Sequence, residues 1–329
     1  MIEKITSILL NKLIIKSKQR ILIPFYHVVS DAVPVFTKHL YLPRNISDFE
    51  KDLDVLLKFY KPISLKQLLG FVKSGESINQ NYFHLTFDDG LSNFYEIVAP
   101  ILKKRKIPAT VFLNTDFVDN KALFYRYKAS LLLENYIYSN TEIKNIYHQF
   151  LKQNKFSNIE VSEFLLRIEY ENKQILDELA KILNFNFSDF LNSEQPYLSK
   201  TQINELVSQD ITFGAHSTNH PFYYKLPLEV QIKQTVDSLN WIENELKQDF
   251  KAFSFPFADF GVQKTFFKKM ASENMDISFG TSGIKKDVIK NNLQRISFEN
   301  FGKNTKLYLI KEYLKYFLKI PLGKSIMKR

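Results

Sequence analysis

Short apolar runs rich in β-branched and aromatic residues alternate along this chain with segments of helical periodicity. That alternation restricts the fold more than any other feature. Residues 20–26 (RILIPFY), 62–64, 82–87, 109–113 (ATVFL), 211–213, 252–255 and 277–279 read as strands. Between them 46–59, capped by Asn45 or Ser47, 65–72, stopping near Gly75, 94–104 and 228–246 read as helices. Strands separated by helices are joined by crossovers, and crossovers make parallel sheets. The expected fold class is α/β: an incomplete, distorted β/α barrel of parallel strands over 20–300, with a doubly wound open sheet as the alternative. One stretch breaks the rhythm. Residues 119–197 carry almost no strand signal and much helical periodicity (ASLLLENYIY, EFLLRIEY, QILDELAKIL), so they read as a helical insertion between two barrel strands. No internal repeat is visible.

Two terminal segments flank the barrel, an N-terminal helix over 1–19 and a basic helical segment over 301–329. The first is apolar at Ile5, Ile8, Leu9 and Leu13, but Asn11 and Lys12 interrupt it and no small-residue cleavage site follows. No apolar run is long enough to cross a bilayer. The expected location is therefore cytoplasmic, with peripheral contact at the inner face of an anionic membrane as an extension. Plain packing of both helices on the outside of the fold is the simpler reading.

Composition removes several function classes. With 30 Phe and 17 Tyr in 329 residues, the chain has ample apolar surface to fold. It has no cysteine, which excludes disulfides, thiolate metal ligands and a cysteine nucleophile. Lys and Arg outnumber Asp and Glu 45 to 35, for a net charge of +10 and a pI near 9.3. The lysines are spread along the whole chain and no nucleic-acid motif accompanies them, so nucleic acid is not an expected partner.

Chemistry concentrates at two strand ends. Thr86-Phe87-Asp88-Asp89-Gly90 sets two adjacent carboxylates at the end of an apolar strand, where ligands of parallel α/β folds gather. Burying that charge is expensive unless something there neutralises it. Gly90 permits a sharp turn, so both carboxylates can face one cleft; an ordinary Asp-Asp-Gly turn is the bland alternative. Gly214-Ala215-His216-Ser217-Thr218-Asn219-His220 follows another strand, and its histidines at i and i+4 would share one face of a helical turn. A carboxylate from one strand end and this pair from another make a two-His, one-Asp metal site with open positions.

TFDDG followed by HSTNH closely resembles the first two motifs of the polysaccharide deacetylases, the family with the NodB homology domain. Ser254-Phe255-Pro256-Phe257 matches its third motif, Arg-x-Pro-Tyr, loosely. The resemblance covers about 20–118 and 198–300. It implies that Asp89, His216 and His220 hold one divalent metal ion, usually zinc or a similar ion. Asp88 is then the general base that deprotonates the attacking water. The backbone N–H of Phe257 meets the charge of the tetrahedral oxyanion formed from an N-acetyl group. The substrate implied is an N-acetylated sugar of a polysaccharide or of its lipid-linked precursor.

Two departures from the family pattern stand out. Ser254 occupies the position of the arginine that orients the base, and Arg295, on a later run, is the candidate substitute. The family's C-terminal catalytic histidine is missing, since no histidine follows His220. His27, in Phe25-Tyr26-His27-Val28-Val29 at the end of the first strand, is the candidate acid; this opening resembles the branch with an N-terminal Tyr-His-x-Val motif. His84 lies too deep along its strand, His39 falls in a loop and His148 in the insertion. Asn114 and Asp116, after the ATVFL strand, and Tyr125 and Arg126, at the start of the insertion, are lesser cleft candidates. Trp241 reads as core packing. The alternative function is a catalytically inactive relative that keeps the metal and binds carbohydrate.

Overall fold

The computed structural model describes residues 2–75, 78–156, 158–299 and 301–329. Among them, eight strands form one parallel sheet: β1 (Pro24–Tyr26), β2 (Leu85–Phe87), β3 (Ala109–Leu113), β4 (Ile211–Ala215), β5 (Ala252–Ser254), β6 (Ile277–Gly280), β7 (Asn292–Gln294) and β8 (Ile296–Ser297). The spatial order β7-β6-β5-β4-β3-β2-β1-β8 brings the sheet round on itself. Its two edges, β7 and β8, are one stretch of chain divided only by Arg295. β7 pairs with β6 and β8 with β1, so the barrel is nearly closed and its one unsealed seam lies at Arg295. This is the incomplete barrel expected from the strand–helix alternation.

The runs 20–26 and 82–87 each contain a second short strand, Ile21–Leu22 and Tyr82–Phe83, which continue the β1–β2 register below the barrel. Lys61–Pro62 pairs with Tyr82–Phe83, one step earlier than the expected strand at 62–64. Asn45, not Ser47, caps the helix Ile46–Phe59, its side chain accepting from the N–H groups of Ser47 and Asp48. The expected helix over 94–104 opens as a π turn, Phe94–Val98, before the α-helix Ala99–Arg105. Pro100 explains this, because it has no N–H to donate to the carbonyl four residues back.

Strands buried on both faces need apolar side chains throughout, and the barrel supplies Leu85, Phe87, Val111, Phe213 and Phe253, all essentially inaccessible. Between β3 and β4 the insertion runs through five α-helices, Tyr125–Tyr138, Thr141–Gln153, Val161–Arg167, Gln174–Ile182 and Phe187–Glu194, before a sixth, Lys200–Val207, packs on the barrel core. The first five bury Leu132, Tyr147, Phe150, Leu165 and Leu179 in a core of their own. Val28, Phe117 and Tyr197, from loops above the strands, belong to the same core, so the insertion sits on the carboxyl end of the barrel. The helices Ile2–Ser17 and Thr305–Lys319 lie side by side and run in the same direction. Glu3 meets Lys306 at their starts, and Gln19 donates to the Tyr316 hydroxyl near their ends.

Candidate active site

The end of β2 is bent by backbone conformation. Asp89 and Gly90 have φ of 70° and 63°, both left-handed, and a Cβ at Gly90 would meet Leu113 Cδ2 at 2.6 Å. This turn swings Asp89 towards His216 and His220, beside Asp88. The histidine pair also converges through a loop, which corrects the expected helical turn. Ser217 and His220 have φ of 69° and 61°, and Ser217 Oγ accepts from the His220 N–H at 2.9 Å. Backbone bonds from Thr115 and Asp116 to the carbonyls of Ser217 and Thr218 strap this loop to the end of β3. Asn114 adds a bond to the His216 carbonyl, so this lesser candidate supports the loop.

Asp89 Oδ1 lies 3.3 Å from His220 Nε2 and 3.6 Å from His216 Nε2. One ligand atom from each of the three buried residues falls within 4.8 Å of the others. Tetrahedral ligands about 2.0–2.2 Å from a metal stand about 3.3–3.6 Å apart, so the spacing fits a divalent ion. The donor chemistry fits as well. His216 Nδ1 donates to the Ser254 carbonyl at 2.8 Å, which leaves the Nε2 lone pair facing Asp89. Burial lowers the His216 pKa to about 4, so the ring is a neutral donor at pH 7. Asp89 Oδ1 and His216 Nε2 are buried with no hydrogen-bond partner among the described residues, an arrangement that costs free energy until a cation joins them. The other oxygen, Asp89 Oδ2, accepts from the Tyr127 hydroxyl at 3.1 Å, and Tyr127 meets Tyr41 at 2.8 Å. Tyr127 comes from the first insertion helix, and nothing in its sequence surroundings marks it as a partner of the site.

Asp88 is 3% exposed and forked by Arg295, which is fully buried: Nη1 donates to Oδ1 at 2.7 Å and Nη2 to Oδ2 at 2.6 Å. Burial pushes the Asp88 pKa up, but the Arg295 charge and its hydrogen bonds outweigh that and hold it below the usual carboxylate range. Ser254 Oγ accepts from Arg295 Nη2 at 2.6 Å and stands 3.4 Å from Asp88 Oδ1. The arginine thus arrives from the seam strand, and the serine in the third-motif position makes room for it and bonds to it.

His27, at the end of β1, pairs through Nδ1 with Glu299 Oε2 at 2.9 Å, and its backbone N–H donates to Glu299 Oε1 at 2.6 Å. Glu299, just beyond β8, was not singled out by sequence; its signal is the seam run continuing past Arg295 to the same end of the barrel. Burial alone would lower the His27 pKa, but the Glu299 carboxylate overrides it and lifts it to about 10. A raised histidine pKa contributes stability that is fully present below the unfolded value, about 6.5, and lost as pH rises through the folded one. Metal-free protein is therefore expected to lose stability between about pH 6.5 and 10, and Glu299→Gln to remove most of that slope. Thermal melts of both proteins across this range check it; parallel curves would show that the pair does not titrate together.

Phe257 has a φ of 58°, stacks on Phe222 at 4.6 Å and meets the His220 ring edge-on at 4.6 Å. Its carbonyl accepts from Thr281, while its N–H has no acceptor among the described residues. The remaining histidines stand apart. His84 is buried between the Ile63 carbonyl and Thr110, His39 pairs with Glu134, and His148 lies beside Tyr136. Asp116 is exposed and accepts from Asn219, Tyr125 packs against Phe124 and Tyr170, and Arg126 stands beside Tyr125. Trp241 is half-buried against the core, under Lys200.

A nearly closed parallel barrel with an Asp-His-His cluster and an Arg-held carboxylate at its strand ends has the parts a metal-assisted hydrolase needs. The sequence pattern of the family described as polysaccharide deacetylase matches residues 76–276, more than half of the chain. The chain belongs to the polysaccharide deacetylase family and is an enzyme of that type. Among solved structures, it is similar to the Streptococcus pyogenes deacetylase PplD in complex with acetate. The two share 18% identity at a TM-score of 0.57, over 88% of this chain and 97% of that one. IcaB from Ammonifex degensii gives 13% identity and a TM-score of 0.55, over 89% and 96%. A de-N-acetylase from Aggregatibacter actinomycetemcomitans gives 13% and 0.55, over 88% and 99%. No curated protein sequence matches significantly.

Proposed function

We propose that this deacetylase removes N-acetyl groups from sugars of a polysaccharide or its lipid-linked precursor, with zinc held by Asp89, His216 and His220. The observation that carries this reading is the Arg295-forked Asp88 standing beside the unpartnered Asp89 and His216 atoms. A divalent ion held by these three residues would supply Lewis acidity towards the acetyl carbonyl and a nucleophilic water near neutral pH. Asp88 accepts the proton of the attacking water, and Arg295 keeps that carboxylate ionised and aimed. The Phe257 N–H donates to the oxyanion. His27, held by Glu299, protonates the departing amine as the amide C–N bond breaks, and the products are acetate and a free amino sugar. His27 and Arg295 thereby fill the two places left by the family's missing histidine and motif arginine. That the Aggregatibacter neighbour is described as a de-N-acetylase supports the same chemistry.

The test joins an assay to a titration. Acetate release from an N-acetylglucosamine oligomer should stop on chelation and return with zinc. Calorimetry of metal-stripped protein should show one tight zinc site, absent in His216→Ala and retained in His27→Ala, which loses turnover. A zinc site without acetate release from any N-acetylated glycan would leave a carbohydrate-binding relative. Absence of the site in the wild type would end the metal reading.

A further inference from the structure

We propose that the paired terminal helices form a docking face for the surface of an anionic lipid bilayer. In Ile2–Ser17 the residues Leu10, Leu13, Ile14 and Ser17, at i, i+3, i+4 and i+7, are buried against the fold. The opposite face leaves Ile5, Ile8, Leu9 and Ile15 exposed by 57%, 49%, 40% and 47%, with exposed Lys12 and Lys16 among them. Thr305–Lys319 repeats the pattern. Leu309, Ile310, Tyr313 and Tyr316 face inward, whereas Leu307, Lys311, Leu314 and Leu318 line up outward at i, i+4, i+7 and i+11. Exposed Ile320 and Leu322 extend this stripe beyond the helix end. Isolated surface leucines need no explanation, but two adjacent helices that each set an apolar stripe opposite a fully used core face do.

Charge selects the occupant. The two helices carry seven lysines against two glutamates, and both glutamates are engaged, Glu3 with Lys306 and Glu312 with Lys315. Lys12, Lys16 and Lys311 have no carboxylate within ion-pair distance among the described residues. A second copy of the chain meeting this face through a two-fold axis would bring like charges together. An anionic bilayer accepts both features: leucines and isoleucines enter the acyl boundary while lysines reach the headgroup phosphates. None of the described helices is long and apolar enough to cross a membrane, so the contact is peripheral. Both helices start at the end of the barrel where His27 and Glu299 lie. Helices lying flat on the bilayer would therefore turn the mouth of the site along the membrane surface. The docking itself does not depend on the deacetylase reading.

The experiment is co-sedimentation of the full chain with vesicles of phosphatidylcholine alone and of phosphatidylcholine with phosphatidylglycerol. Binding to the anionic vesicles should exceed that to neutral ones by about tenfold or more and weaken steeply with salt. Leu314→Gln/Leu318→Gln and Lys12→Gln/Lys311→Gln change only exposed positions; each should lower the partition by about tenfold with melting temperature and zinc titration unchanged. Absence of binding, equal binding to both vesicles, or variants that bind like wild type would overturn the proposal. So would a dimer in light scattering that the leucine double variant dissolves. Because zinc binding and acetate release are read separately, failure here and failure of the enzymatic reading are distinguishable.

Discussion

Replacing Asp88 by Asn is expected to reduce acetate release by about 10²–10⁴-fold, the usual contribution of a positioned base, while leaving the zinc site intact. Asparagine keeps the shape and one acceptor oxygen but cannot take the proton of the attacking water. On the proposed reading the ligand atoms belong to Asp89, His216 and His220, so the calorimetric isotherm should persist. The substitution also removes the counter-charge of a fully buried guanidinium. Breaking a buried ion pair by losing one partner costs about 3–5 kcal/mol, so melting must be measured alongside turnover. An Asp88→Asn enzyme that is folded, binds zinc and still turns over within tenfold of wild type would remove Asp88 from the chemistry.

The second large effect is expected on the other side of the same pair. Arg295→Met leaves the Asp88 carboxylate buried without its cation, with a loss of about 3–5 kcal/mol at pH 7. The sign of its pH dependence distinguishes this cause from lost packing. In the wild type the Asp88 pKa is depressed, so the pair's contribution is present above the unfolded value of about 3.9 and fades as pH falls through the folded one. In the variant, burial, the largest influence, loses its main opponent and is countered only by His216 and His27, so the pKa rises and protonation relieves the penalty. The gap in stability between the two proteins should therefore narrow as pH falls towards about 4. A constant gap would assign Arg295 a packing role against Phe25 and Phe112, whose rings it overlies at 4.7 and 5.4 Å. Combining Asp88→Asn with Arg295→Met should recover part of the loss, because neither charge is then stranded.

Much of this was legible because it is periodic or clustered. Alternating strands and helices announce a parallel barrel, and carboxylates or histidines just past apolar strands announce a ligand site. What the sequence hid depends on tertiary closure. Glu299 and Tyr127 are ordinary residues until the seam strand and the insertion bring them within hydrogen bonding of His27 and Asp89. Arg295 was legible as a candidate, but its fork to Asp88 depends on the strand that pairs with β6 on one side and β1 on the other. The histidine loop shows the limit of spacing rules. An i, i+4 pair suggested a helical turn, yet two left-handed residues bring the rings together instead, and local periodicity carries no trace of them.

The seam also sets an order of assembly during synthesis. A ribosome releases Asp88, Asp89, His216 and His220 well before residues 292–299, and N-terminal parts of a chain get the first opportunity to fold. Until the last stretch docks between β6 and β1, Asp88 lacks its arginine and His27 its glutamate. A growing chain can therefore gather the Asp-His-His cluster early, while Asp88 and His27 still lack the partners that hold them. On the proposed reading, hydrolysis would await the final strand, and the unfinished barrel would carry the ligand cluster without the groups that complete it.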